Sequence, residues 1–232
     1  MIEIFVYSFL IIFLFTPFGV FFIHQQNNSI ICFSKEHIFG LIFLSFVAVF
    51  VNFFFPLNIF INTFIIIISI IIILIFRKHY LNLIFLKFCL FGAILLALLL
   101  TESEVYRPDA GLYHLPFVGI LNSEKIIIGL SNLHSRYGHI SIIQYLSAIS
   151  NNILLNNNGI NFPAGLIAIS VIINFVKHIY NYNQKRKYNF HFFFLLSIII
   201  YIFYKMNRYS EYGNDAPAHF LLFFLISEVI LY

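Results

Sequence analysis

Long apolar runs alternate with short polar stretches over the whole chain. A helix needs about 20 apolar residues to cross the hydrocarbon core of a bilayer. Seven runs approach or reach that length, and they cover residues 2–23, 38–55, 57–76, 81–100, 160–181, 189–205 and 218–232. The pattern predicts an all-α polytopic transmembrane bundle, a single domain over 1–232 with about seven spans. Because the last run stops inside apolar sequence at Tyr232, we expect the chain to be incomplete at its C-terminus.

Composition supports a membrane protein and argues against several other classes. Hydrophobic residues make up 61% of the chain and charged residues 9%, whereas soluble domains are about 45–50% apolar. The basic residues form no stripe with interleaved aromatic side chains, which argues against nucleic-acid binding. Cys32 and Cys89 lie in a predicted loop and in an apolar run. The sequence therefore indicates neither a disulfide framework nor a zinc pattern.

Positive charges orient the predicted spans. Lys and Arg accumulate in cytoplasmic loops, and two basic clusters, Arg77–His79 and Lys185–Lys187, follow the third and fifth runs. Placing both clusters in the cytoplasm puts loop 24–37 inside and loops 101–159 and 206–217 outside. These two outer loops hold six of the nine acidic residues. We therefore expect a polar site on the external face.

Residues 139–155 leave two alternatives open. Their apolar residues recur at helical spacing, and three amides interrupt them, Gln144, Asn151 and Asn152. A full span here would force the Lys185–Lys187 cluster outside, against the positive-inside rule. We therefore favour an interfacial or shallowly re-entrant amphipathic helix.

A polar island lies between residues 101 and 139, directly after the fourth run. It holds seven charged residues and three of the nine histidines in the chain. The charged residues are Glu102, Glu104, Arg107, Asp109, Glu124, Lys125 and Arg136, and the histidines are His114, His134 and His139. Lipid-facing sequence carries little chemical information, so we expect the function to reside in this island.

Asp109 is the first candidate catalytic residue. Arg107 and a proline precede it and restrain the backbone. Beside Tyr113 and His114, its carboxylate could accept a proton from a hydroxyl nucleophile. The alternative is that Asp109 serves only as the N-cap of a helix over residues 110–121.

Glu102 and Glu104 stand two residues apart at the end of the fourth run. The simplest interpretation is that they are solvated residues flanking a helix end. The alternative is that one of them joins Asp109, either in acid–base chemistry or in holding a divalent cation through carboxylate oxygens. No other cofactor is indicated.

Arg136 and His134 form a second candidate group. A guanidinium presents a fork of donors that suits phosphate, and an imidazole adds a further donor. A lipid phosphate lies at this depth, although Arg136 could equally be a headgroup anchor at a helix end. His134 and His139 lack the spacing of a helical zinc pair, and no third ligand is evident, so we do not expect a zinc enzyme.

The second outer loop carries a third group, formed by Arg208, Glu211 and Asp215. Asp215, with Pro217 shortly after it, is typical of the start of a helix. Alternatively, Glu211 and Asp215 share one polar site with Asp109, because both loops are expected on the same face.

The segments Asp109–Pro116 (D-A-G-L-Y-H-L-P) and Gly129–Arg136 (G-L-S-N-L-H-S-R) resemble a group of uncharacterised bacterial polytopic membrane proteins. These proteins are similar to the GT-C superfamily of membrane glycosyltransferases, in which two external loops carry essential acidic residues. Asp109 matches the first acidic position and Asp215, or Glu211, the second. The chain departs from the superfamily in three respects. Its external loop has no Asp-Glu doublet, three spans precede the helix that would be the superfamily's first, and no C-terminal soluble domain is present.

The resemblance implies N-terminal spans over 1–80 and a GT-C-like core over 81–232. It also implies sugar transfer from a polyprenyl-phosphate donor, in cell-envelope glycan or glycolipid synthesis, on the external face of a bacterial inner membrane. Asp109 and Asp215 would be catalytic. The residues expected to bind substrate are Glu102, Glu104, Arg107, Tyr113, His114, His134, Arg136, Arg208 and Glu211. Membrane lipid and the sugar donor are the expected partners.

Two other functions stay open, a transporter or flippase for a glycolipid or small solute, and a nonenzymatic assembly partner. Transporters place charges within their spans, whereas residues 2–76 carry acidic side chains only at Glu3 and Glu36. This disfavours ion-coupled transport. Glu228, inside the last apolar run, is costly in lipid and requires a partner, which we expect in sequence beyond Tyr232.

Overall fold

The computed structural model describes residues 2–23, 28–101, 110–138, 141–205 and 215–231. These residues are helical almost throughout and contain no β-strand. The helices are α1 (Ile2–Phe15, extended by a 3₁₀ turn at Thr16–Gly19), α2 (Ile30–Asn52), α3 (Ile59–Ile75), α4 (Arg77–Tyr80), α5 (Leu83–Thr101), α6 (Leu115–Ser123), α7 (Ile142–Ser150), α8 (Phe162–Gln184), α9 (Phe190–Tyr204) and α10 (Asp215–Leu231). The predicted all-α class is confirmed for the described part of the chain.

Among the described residues, four helical stretches are long and apolar enough to cross a membrane: Ile2–Gly19, Ile30–Asn52, Leu83–Leu100 and Gly159–Gln184. α3 and α9 are also apolar but shorter. These helices support a membrane protein. The count of seven spans is not confirmed.

The bundle has two different ends. We call the end that carries α4 and the Lys185–Lys187 turn the basic end. At the other end, which we call the loop end, the segment around α6 joins the α2–α3 connection, where Leu57 donates its amide hydrogen to the carbonyl oxygen of Leu121 (2.8 Å). Ile126 likewise donates to the carbonyl oxygen of Asn52 (2.9 Å). The described part of the polar island, residues 110–138, therefore packs against the helix ends farthest from the basic turns.

α2 begins at Ile30, well before the expected start at residue 38. The Ser29 side chain accepts a hydrogen bond from the Cys32 amide (3.2 Å) and caps the helix. Residues 30–37 therefore lie within the helix, and the prediction of a loop over 24–37 is wrong for them. It failed because the consecutive polar residues Lys35, Glu36 and His37 interrupt the apolar pattern, whereas each of them has a partner on another element.

The end of α1 meets α2 at backbone distance. A Cβ atom on Gly19 would lie 1.8 Å from the carbonyl oxygen of Glu36, and one on Gly40 would lie 2.7 Å from the carbonyl oxygen of Phe15. Small residues allow such close approach, which membrane helices use because lipid tails supply no hydrophobic drive for association. The contact fixes the height and rotation of α2 at the basic end.

α8 occupies the centre of the bundle. It packs against α2, α5, α7, α9 and α10, and residues 162–171 are buried without exception. Its Asn174 donates through Nδ2 to Ser34 Oγ on α2 (3.0 Å), and both side chains are buried. This hydrogen bond sets the register between the two longest helices.

Residues 141–161 form a short helix with flanking turns at the loop end, and we call them the re-entrant segment. α7 has nine residues, about 13 Å of helix, far less than the ~30 Å hydrocarbon core. Residues 143–150 are all buried. The turn after them reaches α3, where the Ile153 amide donates to Thr63 Oγ1 (3.3 Å). The geometry excludes a full span and favours a re-entrant helix over one lying on the membrane surface.

Candidate functional site

Buried asparagine side chains tie the elements of the loop end together. Asn52, the last residue of α2, donates through Nδ2 to the carbonyl oxygen of Glu124 (3.0 Å). Asn62 on α3 and Asn122 on α6 both donate to the carbonyl oxygen of Ala148, at 2.9 Å and 3.0 Å. Each bond adds a donor to a carbonyl group at the end of a helix or in a turn, where the regular helical hydrogen bonds stop. The described part of the polar island, residues 110–138, is therefore held on a fixed platform.

His114 is a buried member of the polar island, and its ring is oriented by the re-entrant segment. Gln144 on α7 accepts the Ser141 amide through Oε1 (3.0 Å), which completes a capping box. Its Nε2 amide group then faces His114 Nδ1 at 2.9 Å and must donate to it. The neutral His114 ring accordingly carries its proton on Nε2.

Tyr113 and Arg136 come together beside His114. The Tyr113 and His114 ring centroids lie 4.2 Å apart, and the Arg136 guanidinium carbon lies 5.4 Å from the Tyr113 centroid. Such a cation–π contact restrains a guanidinium without consuming its N–H donors. Arg136 is exposed and forms no ion pair with a carboxylate of the described residues. Its donors can therefore bind an anion at the surface of the loop end.

His134 has a local structural contact. Its Nδ1 accepts the backbone amide of Arg136 (3.2 Å), and its ring lies 5.5 Å from that of Tyr137, which packs on Phe117. His134 therefore shapes the 3₁₀ turn at Ser135–Gly138 that presents Arg136. It is exposed, so its Nε2 can add a donor next to the guanidinium.

Six sequence-predicted site residues lie outside the described residues: Glu102, Glu104, Arg107, Asp109, Arg208 and Glu211. Asp215 is the first residue of α10 and is exposed, with Pro217 in the first turn, as the helix-start alternative predicts. Because Glu228 near the other end of α10 contacts α2 at the basic end, Asp215 lies about 20 Å away toward the loop end. Asp215 and Arg136 thus share one end of the bundle.

Within the described ranges, no three His, Cys, Asp or Glu side chains are arranged to hold a metal ion. The divalent-cation alternative rested on Glu102, Glu104 and Asp109, which fall outside those ranges.

The basic end holds a buried carboxylate, Glu36, that the sequence did not single out. It is completely buried and binds His79 Nε2 (2.7 Å) and the Tyr80 hydroxyl (3.2 Å). His79 Nδ1 lies 2.7 Å from Asn28 Oδ1, so both ring nitrogens have a polar partner. Burial and the Glu36 carboxylate raise the pKa of Tyr80 well above its ordinary value, which keeps its phenol a donor.

Lys35 and Glu228 form a second polar contact at the basic end. Lys35 Nζ lies 2.5 Å from Glu228 Oε2, and both side chains are less than one-fifth exposed. The expectation that the partner of Glu228 lies beyond Tyr232 is therefore wrong. Beside this pair, His191 on α9 hydrogen-bonds Tyr182 (3.0 Å) and Ser227 (2.9 Å), so α2, α8, α9 and α10 meet at one polar cluster.

His37 makes the third contact. Thr16 Oγ1 donates to the Ile12 carbonyl oxygen (2.6 Å) and so must accept from His37 Nδ1 (2.8 Å). Residues 35–37 thus reach α10, α4 and the end of α1 from one turn of helix. Two signals in the sequence could have indicated this arrangement, Ser29 as a helix-start residue and the need of Glu228 for a partner.

A family model, described as Domain of unknown function (DUF8201), matches residues 1–232. The chain belongs to this family. No curated protein and no solved structure matches the chain at significance. Family membership therefore gives no activity, and the function has to be argued from the site.

Proposed function

We propose that this chain is a membrane glycosyltransferase that moves a sugar from a polyprenyl-phosphate donor to an acceptor at the loop end. The proposal includes a seven-span, GT-C-like bundle in a bacterial inner membrane, with the loop end outside the cytoplasm. Two lines support it. One is the resemblance carried by Asp109–Pro116 and Gly129–Arg136, and the other is the arrangement around Arg136.

The exposed Arg136 guanidinium is the observation that carries the proposal. A planar fork of charged donors recognises phosphate oxygens better than a point charge does. Its contact with Tyr113 restrains it before a ligand arrives, and donors fixed in advance stabilise developing charge most effectively. Because Gln144 links the adjoining His114 to the re-entrant segment, the position of the cation depends on the whole platform.

In the proposed reaction, an acceptor hydroxyl attacks the anomeric carbon of the donor sugar. A new carbon–oxygen bond forms while the bond from the sugar to the phosphate oxygen breaks, and polyprenyl phosphate departs with the electron pair. Asp109 takes the hydroxyl proton. Arg136, with His134 or Arg208, stabilises the charge that grows on the phosphate, and Asp215 serves as the second catalytic carboxylate. Further substrate contacts are assigned to Glu102, Glu104, Arg107, Tyr113, His114 and Glu211.

Asp109→Asn is expected to lower the turnover of sugar transfer about 100-fold, because it removes the proposed base while keeping its size. Transfer from a labelled polyprenyl-phosphate sugar is measured in proteoliposomes that contain the purified protein. Glu124→Gln is the matched control, since Glu124 is an exposed carboxylate of the same island with no assigned role. Wild-type turnover in Asp109→Asn would show that the proposed base is wrong.

A second candidate, transport of a glycolipid, is favoured by a specific observation. The Lys35–Glu228 pair and the buried Glu36–His79 pair lie in or beside apolar helices, and charges in such positions often mark transport pathways. The same proteoliposomes separate the two functions. Donor lipid that crosses the bilayer without acceptor and without loss of its sugar indicates transport, whereas sugar transfer without lipid movement indicates the transferase.

A further inference from the structure

An apolar groove runs along the surface of the bundle near the basic end, far from the site proposed above. It has a volume of about 230 Å³ and lies between α2, α5 and α8. The residues that line it are Ile30, Phe91, Ile173, Val176, Lys177 and Tyr180. The lining residues on α8 recur at spacings of three and four residues, so they lie on one face of that helix. The groove therefore follows α8 for about 10 Å.

A single cation stands among the lining residues. Lys177 Nζ lies 4.4 Å from the centre of the Tyr180 ring, which holds the ammonium beside another residue that lines the groove. Ile30, the first residue of α2, borders the same groove, so Lys177 lies at the height where α2 begins. Apolar groove walls with an amphipathic Tyr–Lys pair toward the basic end are typical of a membrane interface.

A second lysine lies on the same side. Lys87 precedes Phe91 by one helical turn on α5 and is exposed, so it sits on the Phe91 face and toward the basic end. Neither Lys87 nor Lys177 forms an ion pair with a carboxylate of the described ranges. Two lysines that form no ion pair with a described carboxylate therefore flank the part of the apolar groove nearer the basic end.

We propose that this groove binds one anionic phospholipid, with an acyl chain against Ile173 and Phe91 and the headgroup phosphate between Lys177 and Lys87. The apolar wall alone gives no preference among lipids, because lipid tails are as apolar as the side chains that line it. Selectivity comes from charge complementarity between the lysines and an acidic headgroup. The site is independent of the proposed sugar transfer.

The absence of tryptophan from the chain allows a direct test. Phe91→Trp places a single tryptophan at the groove, where Phe91 is 48% exposed. Its quenching by brominated phosphatidylglycerol and by brominated phosphatidylcholine gives the relative binding constant of the two lipids. Phe64→Trp on α3, where Phe64 is 59% exposed, is the matched reporter on a helix that contains no lysine.

We expect the groove reporter to prefer phosphatidylglycerol about fivefold for each lysine engaged, and the α3 reporter to show no preference. When Lys177→Gln or Lys87→Gln is added to Phe91→Trp, the preference for phosphatidylglycerol should fall toward unity. It should also fall in Phe91→Trp alone when the ionic strength is raised. The salt titration needs no lysine variant, so a folding defect in one would not decide the outcome. Equal quenching by both lipids at the groove, or a preference that survives both lysine substitutions, would overturn the proposal.

Discussion

Gly19→Ala is expected to lower the free energy of unfolding by about 3 kcal/mol or more. The new Cβ would lie 1.8 Å from the carbonyl oxygen of Glu36. A backbone atom cannot rotate away as a side chain can, so the end of α1 and α2 must separate. Overpacking of a core usually costs about 1–3 kcal/mol, and this contact belongs at the upper limit. The separation would also disturb Glu36 and His37, whose partners lie on other elements.

Two other glycines make the test specific. Gly40→Ala brings a Cβ to 2.7 Å from the Phe15 carbonyl oxygen, whereas a Cβ added to Gly119 in α6 would meet no atom within 4 Å. Gly119→Ala should therefore be neutral or stabilising, by up to about 1 kcal/mol, because alanine favours the helix. Unfolding by SDS in mixed micelles should show the largest loss of stability for Gly19→Ala, a smaller loss for Gly40→Ala and no loss for Gly119→Ala. Equal stability of Gly19→Ala and Gly119→Ala would contradict the close contact.

Lys35→Met is expected to destabilise the protein by about 3 kcal/mol, because it leaves the Glu228 carboxylate without its partner among apolar helices. Glu228 Oε1 is already buried without a hydrogen-bond partner in the described structure, so the remaining charge would have almost no compensation. Lys35→Met/Glu228→Met removes both charges and should recover most of the loss, since a well-packed apolar pair often replaces a buried ion pair at little cost.

A double-mutant cycle measures this coupling directly. The free energies of unfolding of both single variants, the double variant and the parent should give a non-additive term of about 2 kcal/mol or more. Lys187→Met is the matched control, because Lys187 is exposed at the same end and should change stability by less than about 0.5 kcal/mol. Additive single effects would mean that Lys35 and Glu228 do not stabilise each other.

Hydropathy predicted most helices to within a few residues, because lipid-crossing helices need long apolar runs. It missed the start of α2, since Lys35, Glu36 and His37 interrupt the run. Their partners stand far away in sequence, with Glu228 193 residues from Lys35 and His79 43 residues from Glu36. No local pattern contains such pairs, and they appear only when the helices pack.

The candidate site was predicted in part. Residue types alone identified Arg136 as a phosphate-binding candidate and placed Tyr113 and His114 in the same island. The contact between Arg136 and Tyr113 depends on how the 3₁₀ turn at Ser135–Gly138 folds back over α6, which periodicity cannot predict. The positive-inside rule disfavoured a full span over residues 139–155, and the helix found there has only nine residues. Gln144, however, was treated as an interruption, whereas it orients His114.

The most direct test of the proposed function is the binding of polyprenyl phosphate itself, because neither the sugar nor the acceptor needs to be known. The dissociation constant is measured in detergent micelles for the parent, Arg136→Gln and Lys205→Gln. Lys205 is the control, since its ammonium also lies over a tyrosine ring, that of Tyr204 (4.9 Å), at the loop-end terminus of α9. Loss of charged hydrogen bonds to phosphate should weaken binding by Arg136→Gln at least about tenfold, while Lys205→Gln binds like the parent. Equal affinity of all three proteins would contradict the assignment of Arg136 to the donor phosphate.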